Sequence, residues 1–104
     1  NTSNHTYTDF TSAEKSLFNE VIGAVIPFIP NDEYYVEEYS YDYGSEREIG
    51  LNFYTFDNTE AEFEAYRALF SDYDFYGTEE DEYGDTWYYY DSADGSYCVD
   101  MTFY

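Results

Sequence analysis

The chain has 104 residues, which is enough for one domain and too few for two. Its 16 Tyr, 9 Phe and 1 Trp exclude the aromatic-poor composition of intrinsically disordered proteins. The 24 acidic residues outnumber the three basic ones and give a formal net charge of −21. This charge argues against nucleic acid and anionic membranes as partners, because both are bound through Lys and Arg. No apolar run is long enough for a membrane helix, so we expect no membrane insertion.

Residues 1–10 are mostly polar, so we expect a flexible N-terminal tail followed by a single domain over residues 11–104. Two N-glycosylation patterns begin in this tail, at Asn1 and Asn4. The chain begins with Asn1 in place of Met, and we expect this to be the start of a processed or trimmed protein, with any signal peptide already absent.

Two capping boxes of the form Thr-x-x-Glu begin at Thr11 and Thr59. Each is followed by apolar residues at helical spacing, which predicts helices over about residues 12–25 and 60–71. Pro27 ends the first of them, because proline cannot continue a helix.

Alternation with a period of two predicts two β-hairpins. The first pairs residues 33–43 with residues 47–57, and the second pairs residues 87–91 with residues 96–104. The acidic stretch between the second helix and the second hairpin is predicted to be a solvated connection. A short edge strand at residues 75–78 is left open.

The two capping boxes are 48 residues apart, and the same spacing aligns the apolar stripes of the helices and both hairpins. We therefore predict a duplicated αββ unit, over residues 11–57 and 59–104. The order αββαββ predicts an α+β fold, in which a four-stranded antiparallel sheet carries two helices packed on one face.

Alternation also assigns each strand residue to one of the two faces of this sheet. The face under the helices is predicted to hold Tyr39, Tyr41, Tyr43, Ile49, Leu51, Phe53, Trp87, Tyr89, Tyr97, Val99, Met101 and Phe103. The opposite face mixes tyrosines with carboxylates, and such rings stack on sugars or on partner side chains with little entropy to lose. We predict a binding surface on that face, formed by Tyr54, Phe56, Tyr88, Tyr90 and Tyr104.

The two-unit layout, with strands such as Tyr34–Tyr39 and Ile49–Tyr54, resembles secreted PepSY-like domains and, more loosely, the β-lactamase-inhibitor-protein fold. This resemblance implies an extracytoplasmic bacterial module, secreted or at the cell surface, that binds or inhibits. The run Trp87–Asp91 is also similar to one choline-binding repeat of Gram-positive surface proteins. Those domains need several copies and this chain has one, so hairpin chemistry explains the run better.

The residues that carry most catalytic chemistry are scarce. His5 is the only histidine and lies in the predicted tail, where no second group can hold it. Cys98 is the only cysteine, which excludes an internal disulfide, and its acidic neighbours disfavour a thiolate. No phosphate loop and no zinc-ligand set is present, so we expect no enzyme, no cofactor, and no catalytic or metal-binding residue.

Carboxylates cluster at residues 79–85 and 91–95 without the spacing of an EF-hand. A solvated acidic loop is the favoured interpretation, and weak binding of a divalent cation is left open.

The leading hypothesis is a non-catalytic extracytoplasmic binding module whose partner is a protein or a glycan. Two alternatives stay open. One is an acidic charge mimic that inhibits a basic protein, and the other is a structural spacer domain of a surface protein. Binding by a charge mimic should collapse in moderate salt, whereas stacking of tyrosines on a glycan should persist.

Overall fold

A computed structural model describes residues 6–104. His5 and the glycosylation pattern that begins at Asn1 lie outside these residues. The pattern that begins at Asn4 starts outside them and ends at Thr6. The described chain is α+β and divides into two compact units, of which the first ends at Asn58 and the second spans Thr59–Tyr104. In chain order the elements are α1 (Ser12–Ile22), β1 (Tyr34–Asp42), β2 (Arg47–Thr55), α2 (Glu60–Ala68), β3 (Asp74–Glu80), β4 (Thr86–Asp91) and β5 (Cys98–Thr102).

The strands form two sheets, so the prediction of one four-stranded sheet is wrong. β1 and β2 make a two-stranded antiparallel sheet in the first unit, and the second unit has a three-stranded sheet in the order β3-β4-β5. The third strand arises from the stretch that was predicted to be a connection. The residues 48 positions before β3 include Pro27 and Pro30, which have no N–H to donate to a strand ladder. The first unit therefore lacks this strand.

Both helices begin at the predicted capping boxes. The Thr11 Oγ1 accepts from the N–H of Glu14 at 3.2 Å, and Thr59 Oγ1 makes the equivalent bond at 3.1 Å. The N3 glutamate of each box accepts the backbone N–H of its N-cap threonine in return. α1 ends before the predicted residue 25, because Gly23 takes the left-handed conformation (φ 78°) and its N–H donates to carbonyls of the last turn.

The first unit has an aromatic core around Phe10. Its ring lies 4.8 Å from the rings of Phe18, Phe28 and Phe53, and Phe10 and Phe18 are buried. Phe10 had been assigned to a flexible tail, which has no apolar periodicity to reveal a single buried side chain. Since Phe53 belongs to β2, this cluster packs one face of the hairpin against α1 and the segment that follows it.

The second unit is built in the same way, with α2 packed on the three-stranded sheet. Phe63 of the helix lies 5.9 Å from the ring of Tyr88, and Phe70, in the turn after the helix, lies 5.4 Å from the ring of Tyr90. Tyr66, Tyr90 and Met101 are also buried. Leu69, the residue after the last residue of α2, is exposed.

The predicted inward face is wrong for β1 and for β4, because each strand presents its other side to the helix. Tyr39 pairs with Gly50 and Tyr41 with Glu48, so these tyrosines share a face with Tyr54 and not with Leu51 or Phe53. In the second sheet the same inversion turns Trp87 and Tyr89 away from the face of Val99 and Met101, which was assigned correctly.

Ile49 was also predicted to be in the core and is 52% exposed, although it shares the face of Phe53. Helix α1 has 11 residues and is about 16 Å long, whereas the nine residues of β2 extend about 30 Å. The helix therefore covers only part of the hairpin, and Ile49 lies towards the uncovered end, near the turn.

Candidate binding surface

The structure brings together only two of the five residues of the predicted surface. Tyr54 and Phe56 belong to the first unit and are exposed, while Tyr104 is exposed near the end of the second. Tyr88 is half-buried and Tyr90 is only 4% exposed, because both face α2. Their assignment to an open face is therefore wrong, and with two separate sheets the five residues do not share one sheet face.

A different set of rings covers the outward face of the first hairpin. We call it the tyrosine strip, and it consists of Tyr35, Tyr39, Tyr41, Tyr43, Tyr54 and Phe56. Every member except the half-buried Tyr39 is exposed, and the exposed fraction reaches 63% at Tyr43. The strip runs from the open ends of the two strands to the turn that joins them.

The rings of the strip contact one another in two groups. Near the open ends of the strands, Tyr35 lies 4.7 Å from its cross-strand partner Tyr54 and 6.1 Å from Phe56. Towards the turn, the ring centroids of Tyr39 and Tyr41 are 5.5 Å apart, and those of Tyr41 and Tyr43 are 6.4 Å apart. Interplanar angles of 43° and 42° in the second group make it a row of tilted rings and not a flat platform.

One glycine makes this packing possible. Gly50 lies beneath the Tyr39 ring, and a Cβ added to it would come within 2.6 Å of the Tyr39 hydroxyl oxygen. The ring in turn buries the Gly50 backbone. Covering a strand glycine with a cross-strand aromatic ring compensates for the packing that the missing side chain cannot provide.

Carboxylates are interleaved with the rings on the same face. Glu48 accepts hydrogen bonds from the Tyr39 hydroxyl at 3.2 Å and from the Tyr43 hydroxyl at 3.4 Å. Desolvation and this carboxylate raise the pKa of Tyr43 above its usual value. Desolvation, Tyr35 and Glu37 likewise raise the pKa of Tyr54. Tyr43 and Tyr54 therefore stay neutral next to negative charge, and the face as a whole is aromatic and acidic.

Sequence reasoning missed this strip because it placed Tyr39, Tyr41 and Tyr43 in the core. The signal that could have found it is the number of residues in the turn. Because four residues separate β1 from β2, odd-numbered positions of β1 pair with even-numbered positions of β2. A loop of three residues would pair odd positions with odd positions and would give the predicted faces.

The second unit has a smaller outward aromatic pair. The Tyr76 ring stacks on the Tyr89 ring at 6.1 Å, beside Glu79, which accepts from the Tyr89 hydroxyl. A shallow acidic cleft of about 190 Å³ lies elsewhere in this unit, and Phe63, Tyr88 and Phe103 are among the residues that line it.

Arg67 shows how this chain holds a cation among its rings. Its guanidinium carbon lies 3.7 Å from the centroid of Tyr88, which is a cation–π contact. Its Nε donates to the Tyr90 hydroxyl at 3.0 Å, and its terminal nitrogen forms an ion pair with Glu64 at 2.7 Å. One arginine is therefore bound at the same time by the face of a ring, a phenol oxygen and a carboxylate.

The two acidic clusters organise turns. Asp81 accepts hydrogen bonds from the indole N–H of Trp87 at 2.8 Å and from two backbone N–H groups, and these bonds lower its pKa. Asp94 accepts from both the side chain and the backbone of Ser96 and from the side chain of Ser92, and these bonds lower its pKa as well. Within residues 6–104, no three His, Cys, Asp or Glu side chains form a group that could hold a metal ion.

Comparison of the chain with protein-family models, with curated proteins and with solved structures finds no match. In the described part of the chain, neither helix has the length and apolar character needed to span a bilayer.

Proposed function

We propose that this chain is a non-catalytic binding module that works outside the cytoplasm, and that the tyrosine strip is the surface that holds its partner, a protein or a glycan. The observation that carries the proposal is the exposure of five aromatic rings on one face of a two-stranded sheet. Soluble domains rarely leave contiguous aromatic surface in contact with water unless it binds something.

The chemistry of the strip supports binding. A tyrosine ring offers a large contact area and has few rotatable bonds, so little entropy is lost when a partner orders it. The contacts between neighbouring rings restrict these side chains further before any partner arrives. A preordered surface of this kind needs less of its interaction energy to hold the bound geometry.

The proposal that the module is non-catalytic is supported by the residues available. Cys98 is an exposed strand residue, and its cross-strand partner is Asp91. Asp81 and Asp94 accept hydrogen bonds that lower their pKa, which is the opposite of what a general acid requires.

The test compares two double variants. Tyr35→Ala with Tyr54→Ala removes the cross-strand pair, and Tyr83→Ala with Tyr104→Ala removes two exposed tyrosines of the second unit as a matched control. Each protein is applied to an array of neutral oligosaccharides and to an array of peptides of mixed charge. We expect the wild type to bind on at least one array, the first variant to lose that binding and the control to keep it. The proposal is contradicted if the wild type binds to neither array, or if the two double variants bind equally well.

The excess of carboxylates favours a second candidate, an acidic charge mimic that inhibits a basic protein. This function depends on charge and not on the aromatic rings. Binding should therefore vanish as the salt concentration rises from about 0.05 M to about 0.5 M, and its affinity should be unchanged in the variant that lacks Tyr35 and Tyr54. Binding that follows the rings and survives the salt separates the tyrosine strip from this alternative.

A further inference from the structure

We infer that the partner of the tyrosine strip is an extended, arginine-containing segment of another protein. This inference rests on the proposed binding function and names the chemistry that the strip recognises. Three features of the chain support it: the way in which Arg67 is held, the groups present on the strip, and their spacing.

The contacts of Arg67 give an internal precedent. This guanidinium is held at once by the face of Tyr88, the hydroxyl of Tyr90 and the carboxylate of Glu64. A planar guanidinium can stack on a ring while its edge N–H groups donate hydrogen bonds, which an ammonium group cannot do. The chain therefore already contains the combination of groups that suits arginine.

The strip presents the same combination of groups on an exposed face. Glu48 lies within hydrogen-bond distance of two phenol oxygens, those of Tyr39 and Tyr43, and the exposed ring of Tyr41 lies between these two tyrosines along the strand. At the other end of the strip, Glu37 follows Tyr35 by two residues and so shares its face. Each ring group is thus accompanied by a carboxylate that can pair with a cation.

The spacing of the rings suits an extended chain. Successive centroids towards the turn are 5.5 Å and 6.4 Å apart, close to the distance of about 6.6 Å between alternate side chains of a strand. A partner with arginine at every second position can therefore place one guanidinium over each ring. The partner is also attracted over a longer range by the net charge of −21.

The same observations disfavour a glycan. The hydroxyls of a neutral sugar can donate to the carboxylates between the rings, but a neutral sugar gains no charge–charge attraction from them, and the tilts of 43° and 42° give no flat platform for a sugar ring near the turn. The charges and the tilts both favour a cationic side chain that stacks on a single ring.

The experiment uses three probes on the intact chain. They are a synthetic peptide of alternating arginine and threonine, the same peptide with lysine in place of arginine, and a panel of neutral oligosaccharides. We expect the arginine peptide to bind more tightly than the lysine peptide, and the oligosaccharides not to bind. Both peptides carry the same charge, so the difference between them measures the stacking of the guanidinium.

Variants locate the site. Tyr41→Ala should weaken the arginine peptide about 2- to 5-fold at both low and high salt, because one cation–π contact is lost. Glu48→Gln should weaken it by a similar factor, and mainly at low salt. Tyr83→Ala and Glu82→Gln change the same residue types at exposed positions of the second unit and should leave affinity unchanged. All four positions are exposed, and far-UV circular dichroism verifies that each variant is folded.

Three results overturn the inference. If the lysine peptide binds as tightly as the arginine peptide, and Glu82→Gln weakens binding as much as Glu48→Gln, the attraction is general and the strip is not the site. If the oligosaccharides bind and the loss of Tyr41 abolishes that binding, the partner chemistry is wrong while the proposed function stands. If no probe binds and the arrays described above also stay empty, both proposals fail.

Discussion

Replacement of Tyr90 by alanine should destabilise the second unit strongly, although sequence alternation places this residue on an open face. Its side chain is 4% exposed and its ring lies 5.4 Å from Phe70 and 5.1 Å from Phe75. A buried aromatic side chain removes about 150–250 Å² from water, which is worth at most about 4–6 kcal/mol at 25 cal/mol per Å². Residual structure in the unfolded chain reduces this figure, so we expect a loss of about 3–4 kcal/mol.

Tyr90→Phe separates the hydroxyl from the ring. This change keeps the aromatic packing and removes only the acceptor for the Arg67 Nε, which lies 3.0 Å away. Arg67 keeps its ion pair with Glu64 and its contact with the Tyr88 ring, so it is not left without partners. We expect a loss of about 1–2 kcal/mol.

The measurement is urea denaturation followed by tryptophan fluorescence. Trp87 is the only tryptophan of the chain and lies in the same strand as Tyr90, so its signal reports the unfolding of the second unit. Tyr83→Ala is the matched control, because this tyrosine is 81% exposed and its loss should change stability by less than about 0.5 kcal/mol. If Tyr90→Ala costs no more than Tyr83→Ala, Tyr90 is a surface residue and the assignment of faces in the second sheet is wrong.

Three further predictions follow from single contacts. Thr59→Ala should destabilise the second unit by about 1 kcal/mol in the same denaturation assay, because the N-cap acceptor is lost. Tyr34→Phe should cost about 1–2 kcal/mol at neutral pH, because the Tyr34 hydroxyl donates to Glu14 at 2.6 Å. Desolvation and this bond raise the pKa of Tyr34 to about 12, so the stabilisation is present below about pH 10 and is lost between about pH 10 and 12, where the difference from Tyr34→Phe should narrow. The indole hydrogen bond lowers the pKa of Asp81, so the stability that this carboxylate contributes is lost as the pH falls below about 4. In the Asp81→Asn variant, the free energy of unfolding measured by Trp87 fluorescence should therefore fall less on acidification than in the wild type.

Each of these three variants has a matched control variant. Thr59→Ser keeps a hydroxyl acceptor and should lose only a few tenths of a kcal/mol. Tyr35→Phe alters an exposed neighbour of Tyr34 and should not change the alkaline transition. Glu82→Gln removes one charge next to Asp81 and should leave the acid profile of the wild type intact. If a control behaves like its test variant, the hydrogen bond in question does not supply the stability assigned to it.

The sequence was sufficient to predict both helices and both hairpins, whereas β3 lies in a stretch that was predicted to be a connection. The boxes at Thr11 and Thr59 are local, since each is formed by residues three apart, and both helices begin there. The first hairpin also matches within one or two residues, because its turn is short and local. Such features depend on neighbours in the chain and not on the rest of the fold, which is why a pattern could predict them.

The faces of the sheets could not be predicted by alternation alone. Alternation along a strand shows which of its residues share a side. Which side lies on the same face as a given side of the neighbouring strand depends on whether the turn between them has an odd or an even number of residues. β1 and β2 are separated by four residues and β4 and β5 by six, so both hairpins pair odd positions with even ones. The predicted faces require an odd number of loop residues in both hairpins, and one strand of each hairpin was inverted as a result. The predicted ranges of the second hairpin, residues 87–91 and 96–104, already leave an even loop of four residues, so its faces did not follow from its own loop. The parity of each turn decides the location of the strip and the burial of Tyr90.

Tyrosine is the deeper reason why hydropathy did not correct this error. The ring suits a core and the hydroxyl suits water, so the same residue type serves both sides of a strand. Several buried and half-buried tyrosines keep polar partners for their hydroxyls: Tyr90 accepts from Arg67, Tyr34 donates to Glu14, and the hydroxyls of Tyr73 and Tyr97 bond to each other at 2.5 Å. A tyrosine can therefore be buried without leaving its hydroxyl unpaired, and residue type alone does not separate core rings from surface rings. The exposed rings of the strip have Glu48 and Glu37 on their face, and a carboxylate beside an exposed ring is what a partner's guanidinium needs.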